Sequence, residues 1–305
     1  MNRAGEHRHQ PVASAGSLAA AVALTIGFAA VEALAGWWSG SLALASDAGH
    51  MLGDGAALGL AGFAAWLAKR PRTHRHTYGF ARAEVLAGMA NAVFMFALIA
   101  AIAAGAIGRL RAPAPVAGEA VTVVALIGLA INLAVAWLLA RGERNLNTRA
   151  ALLHVLGDLL GSAAALVSGV VIVVTGWTPV DPILSLAIAG LILVSSLRVL
   201  REAVHGLMEG APFFIDPESV GRALADVPGV ASVHDLHIWS VASDRPMLSA
   251  HVVVHELARW EGVLETCQVL LTDRFGIRHA TLQPEPLART VRFREPSERE
   301  PAVRT

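Results

Sequence analysis

Hydrophobic and polar positions divide the chain into two parts. Up to about residue 200 the apolar residues fall in six blocks, 17–38, 41–68, 85–108, 119–140, 149–175 and 182–200, separated by short polar breaks. An α-helix rises ~1.5 Å per residue, so blocks of this length match a hydrocarbon core of about 30 Å. They predict six membrane-spanning helices. After Gly210 the pattern shortens. Asp216-Pro217-Glu218 supplies an N-cap, a proline for the first helical position and an acid for the first turn, and Pro228-Gly229 ends that helix. Val230–Val241 and Met247–Val254 alternate as two strands around a turn at 243–246. Val263, Leu264, Cys267, Leu270, Leu271 and Phe275 recur at helical spacing before Gly276, and 280–283 is a short third strand. The expected fold is therefore an α-helical polytopic membrane protein with six transmembrane helices and a C-terminal α+β domain of order αββαβ. The expected boundaries are 1–13 for a cytoplasmic tail, 14–208 for the transmembrane domain and 209–290 for the cytoplasmic domain. A charged, disordered tail is expected at 291–305.

Charge adds orientation. Arg3 and Arg8 precede the first span, Lys69, Arg70, Arg72, Arg75 and Arg82 lie between spans two and three, and Arg141, Arg144 and Arg149 between four and five. The opposite side carries Arg109 and Arg111 alone. Ten cations against two place both termini in the cytoplasm by the positive-inside rule, and Trp37, Trp38 and Trp177 then sit at outer span ends as interfacial anchors. Such a chain belongs in the cytoplasmic (inner) membrane with the lipid bilayer as its surroundings. A formal charge of +0 gives no basic stripe, so no nucleic-acid partner is expected. With Cys267 as the single cysteine, the chain has neither an internal disulfide nor a cysteine metal knuckle. No cleavable signal peptide is evident.

Ionisable groups inside spans are costly and usually functional. Span two carries Asp47, His50 and Asp54, and span five carries His154 and Asp158. The pentads His50-Met-Leu-Gly-Asp54 and His154-Val-Leu-Gly-Asp158 each stack an imidazole and a carboxylate on one helix face, one turn apart. Span two enters from outside, so Asp54 lies about 18 Å below the outer boundary, while Asp158 lies about 12 Å above the inner one. In a core of about 30 Å these are the same level. Two neutral imidazoles and two carboxylates balance one divalent cation and suit tetrahedral zinc, where an all-oxygen set would suit magnesium or manganese. Two interhelical His–Asp pairs holding the bundle together are the bland alternative. Asp47 has two readings, an exit path or a hydrogen bond within the bundle. Glu32, Asn91 and Asn132 read as packing hydrogen bonds, and Asp181-Pro182 as a helix start. His74 and His76 read as a solvated loop rather than a peripheral zinc site. His237 has opposite strand parity to His234 and should face away from it.

These motifs resemble the cation diffusion facilitator family. The resemblance rests on Ser41-Leu-Ala-Leu-Ala-Ser-Asp47-Ala-Gly-His50-Met-Leu-Gly-Asp54, His76-Thr-Tyr-Gly-Phe80, Ala151-Leu-Leu-His154-Val-Leu-Gly-Asp158, Asp181-Pro-Ile-Leu-Ser-Leu186 and Val233-His-Asp-Leu-His-Ile-Trp239. It implies a homodimeric zinc/proton antiporter of the kind found among cobalt-zinc-cadmium resistance proteins, with a metallochaperone-like, ferredoxin-like cytoplasmic domain. It implies zinc binding by that domain at His234, His251 and Glu285, with His279 nearby. A further family site, in the loop after span two, needs an aspartate and two histidines. Only His76 matches it here, with Thr73 and Ala81 at the other positions. The long His-rich loop between spans four and five seen in many eukaryotic members is absent.

The expected function is export of zinc from the cytoplasm against protons, with zinc as cargo and as regulatory ligand. Metal and protons compete for the same imidazoles and carboxylates, so binding one expels the other. Two other classes remain in view. An intramembrane metalloenzyme would need an open coordination position and a general base, and the His-Glu-x-x-His helix is absent. A scaffolding membrane protein would tolerate loss of Asp54 and Asp158.

Overall fold

The computed structural model describes residues 15–141, 146–242 and 245–287. The chain forms two compact units, residues 1–204 and 205–305. The tails expected at 1–13 and 291–305 lie outside the described residues.

The first unit is built from six long helices: α1 (Ala15–Ser39), α2 (Leu42–Ala68), α3 (Ala83–Arg111), α4 (Gly118–Arg141), α5 (Leu146–Thr175) and α6 (Val180–Leu207). Among the described residues five of them, α2 to α6, contain windows long and apolar enough to cross a membrane. Helix α1 packs on α2 and α4, α5 packs on α2 and α4, and α3 packs on α2. Helices α1, α2, α5 and α4 therefore close into a ring. Their outer faces carry large apolar side chains such as Leu34, Phe63, Leu126 and Val174, all exposed. Water would not tolerate so much apolar surface, and lipid does.

Packing inside the ring relies on small residues. A side chain at Gly161 of α5 would place its Cβ 2.2 Å from Asp47 Oδ1, and one at Gly128 of α4 would come within 2.7 Å of Glu32 Oε1. Glycine at these two positions makes room for two buried carboxylates. Helix α6 contributes Ile188 and Ile192 to a core cluster with Leu44, Met95 and Ala165.

The second unit contains α7 (Pro217–Ala225), β1 (Val230–Ala242), β2 (Arg245–Val254), a 3-10 turn (Leu257–Arg259), α8 (Trp260–Phe275) and β3 (His279–Pro286). Asp216 caps α7, its carboxylate accepting from the backbone N–H groups of Glu218 and Ser219. Gly276 ends α8 at φ 69°, the left-handed conformation that glycine adopts without penalty. Strands β1 and β2 form an antiparallel hairpin, and β3 lies parallel to β2 after the α8 crossover, giving the order β1-β2-β3. Val220, Leu224, Ile238, Leu248, Val252 and Leu271 fill the core between sheet and helices. Cys267 is buried there, and burial pushes its thiol up to about 11, leaving it protonated and inert at neutral pH.

Two strand expectations change. The third strand extends to Pro286, so Glu285 lies within it, opposite Val253. Strand β1 also carries a bulge: His234 pairs with His251, but His237 pairs with Ser249, so three residues on β1 span two on β2. The extra residue reverses the parity, and His237 faces the same side of the sheet as His234 and His251.

Candidate metal centres

Among the described residues two groups could hold a metal ion: His50, Asp54 and Asp158 in the first unit, and His234, His251 and Glu285 in the second. Within the first, His50 Nδ1 lies 3.4 Å from Asp54 Oδ2 one turn along α2, and His50 Nε2 lies 3.9 Å from Asp158 Oδ1 across on α5. Ligands of a tetrahedral zinc, each ~2.0–2.2 Å from the ion, stand about 3.3–3.6 Å apart. The trio is therefore close to a ligating arrangement. His154 lies in α5 one turn before Asp158, and its side chain lies outside the described residues.

His50 and Asp54 line a cavity of about 330 Å³ together with Asp47, Asn91, Ser195 and Ser196. His50 and Asp54 keep 17% and 24% of their side-chain surface exposed, whereas Asp158 is buried. The cavity gives the site a polar approach through otherwise apolar helices. Asn91 stands on the cavity wall.

Asp47 has the hydrogen bond within the bundle that was one of its two readings. It lines the cavity, and its Oδ2 accepts a hydrogen bond from Ser162 Oγ at 2.8 Å. Asn132 Nδ2 donates to the same Ser162 oxygen at 3.1 Å. Asn132 thus has the packing role expected of it. Glu32 does not: it is fully buried, and neither carboxylate oxygen has a hydrogen-bond partner among the described residues.

Asp181 is more than a helix start. Its carboxylate is fully buried and sits on the N-terminus of α2, accepting from Ser41 Oγ at 2.6 Å, Leu42 N at 2.6 Å and Ala43 N at 3.4 Å. Ser168 Oγ donates to it at 3.2 Å, and Arg109 Nη1 lies 3.7 Å away. Arg109 also donates to the Gly40 carbonyl. Two signals pointed to this cluster: an aspartate at an outer helix start, and Arg109 in a loop set otherwise nearly free of cations.

In the loop after α2, Thr73 Oγ1 lies 3.2 Å from His76 Nδ1 and accepts from His76 N at 3.0 Å, while the His76 ring lies 4.7 Å from the Phe80 ring, tilted against it. His76 organises its own turn. No metal-capable group of three forms there among the described residues.

The second group lies across the three strands. Glu285 Oε2 is 3.0 Å from His234 Nε2, and Oε1 is 2.7 Å from His251 Nδ1. The two imidazole rings lie 5.2 Å apart. The hydrogen bond to His234, then that to His251, holds the Glu285 carboxyl below the usual carboxylate range. It therefore stays ionised through neutral pH, as a metal ligand must. His279 is not part of this group: it pairs with Met247, four residues along β2 from His251.

Apolar membrane-length helices, a cavity between α2, α3, α5 and α6 that carries ionisable side chains, and a small α+β domain after them belong to a polytopic membrane transporter, not an enzyme. The chain belongs to the cation efflux family: residues 18–208 match the cation efflux transmembrane domain, and residues 215–287 match the cation efflux protein cytoplasmic domain. It is 44% identical over 268 residues to the zinc transporter ZitB of Escherichia coli, covering 87% of this chain and 85% of that one. It is 37% identical over 285 residues to the cadmium, cobalt and zinc/H(+)-K(+) antiporter of Bacillus subtilis, covering 92% and 91%. The metal-bound C-terminal domain of the CzcD transporter from Cupriavidus metallidurans is 38% identical, covering 23% of this chain and 99% of that chain, at a TM-score of 0.22.

Proposed function

We propose that this transporter exports zinc from the cytoplasm in exchange for protons, through a site formed by His50, Asp54, His154 and Asp158. The observation that carries the reading is the convergence of His50, Asp54 and Asp158 from two helices, with His50 and Asp54 open to a cavity. Packing alone does not need three ionisable groups in one place within a bilayer. Two imidazoles and two carboxylates neutralise a divalent cation and offer the borderline nitrogen donors that zinc prefers. The names of the relatives from Escherichia coli and Bacillus subtilis agree with that cargo.

Coupling follows from competition. Zinc requires neutral imidazoles and ionised carboxylates, whereas a vacant site relieves its buried negative charges by taking protons. Loading occurs on the cytoplasmic side, where protons are scarcer, and a more acidic exterior displaces the metal. The excess of cations in one set of loops supports an orientation with both termini in the cytoplasm. A homodimer is the proposed assembly, in keeping with the match of residues 215–287 to the cation efflux protein cytoplasmic domain.

The test is zinc flux in proteoliposomes under an imposed pH gradient, with proton movement followed by a trapped dye. Zinc should move against the proton gradient and dissipate it. Zinc uptake that ignores the gradient and moves no protons would make the protein a uniporter.

The cytoplasmic domain is proposed to bind zinc through His234, His251 and Glu285. Binding to the native state adds stability by mass action, about 2.7 kcal/mol at a hundredfold excess over Kd. In the full chain carrying Asp158→Ala, zinc should therefore raise the melting temperature of the cytoplasmic domain. Glu285→Ala should remove that rise. An equal rise in the Glu285→Ala protein would place the bound metal elsewhere.

A further inference from the structure

The bulge in β1 has a chemical consequence for the cytoplasmic site. Two residues, Asp235 and Leu236, lie between the pairs His234–His251 and His237–Ser249, opposite Ala250 alone. Leu236 packs toward the core. Asp235 adopts φ +51°, a left-handed conformation that non-glycine residues enter at some cost, aspartate less reluctantly than most. This departure brings its side chain to the face that carries the proposed ligands. Asp235 Oδ1 lies 3.0 Å from His237 Nε2, and Oδ2 lies 3.8 Å from His251 Nε2. The same His251 ring presents its other nitrogen, Nδ1, to Glu285 Oε1 at 2.7 Å.

The two edges of the His251 ring thus face two different carboxylates. Glu285 is on the side shared with His234, where the proposed metal binds. Asp235 is on the opposite side. A neutral imidazole carries one proton, and only the bare nitrogen can ligate. If that proton sits on Nδ1, it is spent on Glu285 and the ring cannot bind metal there. If it sits on Nε2, Nδ1 is free. An acceptor beside Nε2 decides between these states, and Asp235 is the acceptor the structure offers. At 3.8 Å the carboxylate is just beyond hydrogen-bond length. Its side chain is 58% exposed and held on its far oxygen by His237, so a small rotation closes the gap.

We propose that Asp235 is a positioning residue of the cytoplasmic metal site: seated in the β1 bulge and braced by His237, its carboxylate accepts a hydrogen bond from His251 Nε2–H and so fixes the imidazole with Nδ1 free to ligate zinc. The arrangement is a carboxylate–histidine–metal series, in which the outer carboxylate sets both the tautomer and the ring orientation of the ligand. The inference rests on the proposed zinc site at His234, His251 and Glu285, and explains why the chain keeps an unfavourable backbone conformation at Asp235.

The test uses the full chain in detergent with the transport site disabled by Asp158→Ala, titrated with zinc against a competing chelator. Asp235→Gly and Asp235→Asn both accept the left-handed backbone, so both should fold, and the metal-free melting temperature should not fall. Asp235→Gly should weaken zinc binding at the cytoplasmic site by about 10- to 100-fold. Asp235→Asn, whose amide oxygen is a weaker acceptor, should lie between it and the parent. Histidine labelled with 15N should report a zinc-bound His251 protonated at Nε2 in the parent, with that hydrogen-bonded signature lost in Asp235→Gly. Unchanged affinity in Asp235→Gly would reduce Asp235 to a bulge former and overturn the proposal. A loss in Asp235→Asn as large as in His251→Ala would make Asp235 a ligand, which also overturns it. Failure of the site itself reads differently: His251→Ala would then leave zinc binding unchanged.

Discussion

Asp158→Ala is expected to reduce zinc flux to the level of empty proteoliposomes, a loss of at least about 100-fold, while the protein still inserts and folds. Asp158 is the buried member of the membrane trio, 3.9 Å from His50 Nε2 on the neighbouring helix. Its loss removes one donor and one of the two negative charges that neutralise the cation. Losing a partner outside the ligand shell already costs 10- to 100-fold in metal affinity, and losing a ligand costs more. Stability should move the other way. A carboxylate inside an apolar bundle is expensive to desolvate, so alanine there removes a penalty along with the ligand. The metal-free variant should melt no lower than the parent and should lose the part of the zinc-induced rise that comes from the membrane site. Asp54, on the more open side of the cavity, should behave alike in flux. Wild-type zinc flux in purified Asp158→Ala would sink the assignment of the site.

Much of this site was legible in the sequence because lipid imposes strong rules. Spans must be continuous apolar runs, so polar residues inside them stand out, and a spacing of four places His50 over Asp54 without further knowledge. The environment of Glu32 and the Ser162 bond of Asp47 were not legible. They depend on how far each helix is rotated and how closely Gly128 and Gly161 let neighbours approach, neither of which periodicity encodes. In the soluble domain, the last strand runs past 283 through Pro284 and Pro286. They are tolerated because β3 is at the edge of the sheet. The facing of His237 failed for a related reason: strict alternation holds only while the ladder is regular, and the bulge at Asp235 contains no glycine to announce it.

The other large effect is expected at the outer end of the bundle. Asp181→Ala should destabilise the transmembrane unit by about 3 kcal/mol or more, read as a fall in melting temperature in detergent. One buried carboxylate there serves three elements. It caps α2 through Ser41, Leu42 and Ala43, reaches Ser168 on α5, and stands beside Arg109 of α3. Alanine would orphan the first backbone N–H groups of α2 and remove the negative charge from the helix N-terminus, where it is favoured. It would also strip Arg109 of its counter-ion. Arg109 is 30% exposed and retains the Gly40 carbonyl, so it can turn toward water or headgroups. Arg109→Ala should cost less than Asp181→Ala, because the Asp181 carboxylate keeps its hydrogen bonds from Ser41, Leu42, Ala43 and Ser168. Asp181→Asn should fall between the two, because its amide oxygen can still accept from α2 but carries no charge. Helix α2 also bears His50 and Asp54, two to three turns further along. A loosened N-terminus should let those ligands drift, and zinc flux should decline with the stability order of the three variants. If Arg109→Ala proves as damaging as Asp181→Ala, the ion pair and not the helix cap is what holds α2 in place.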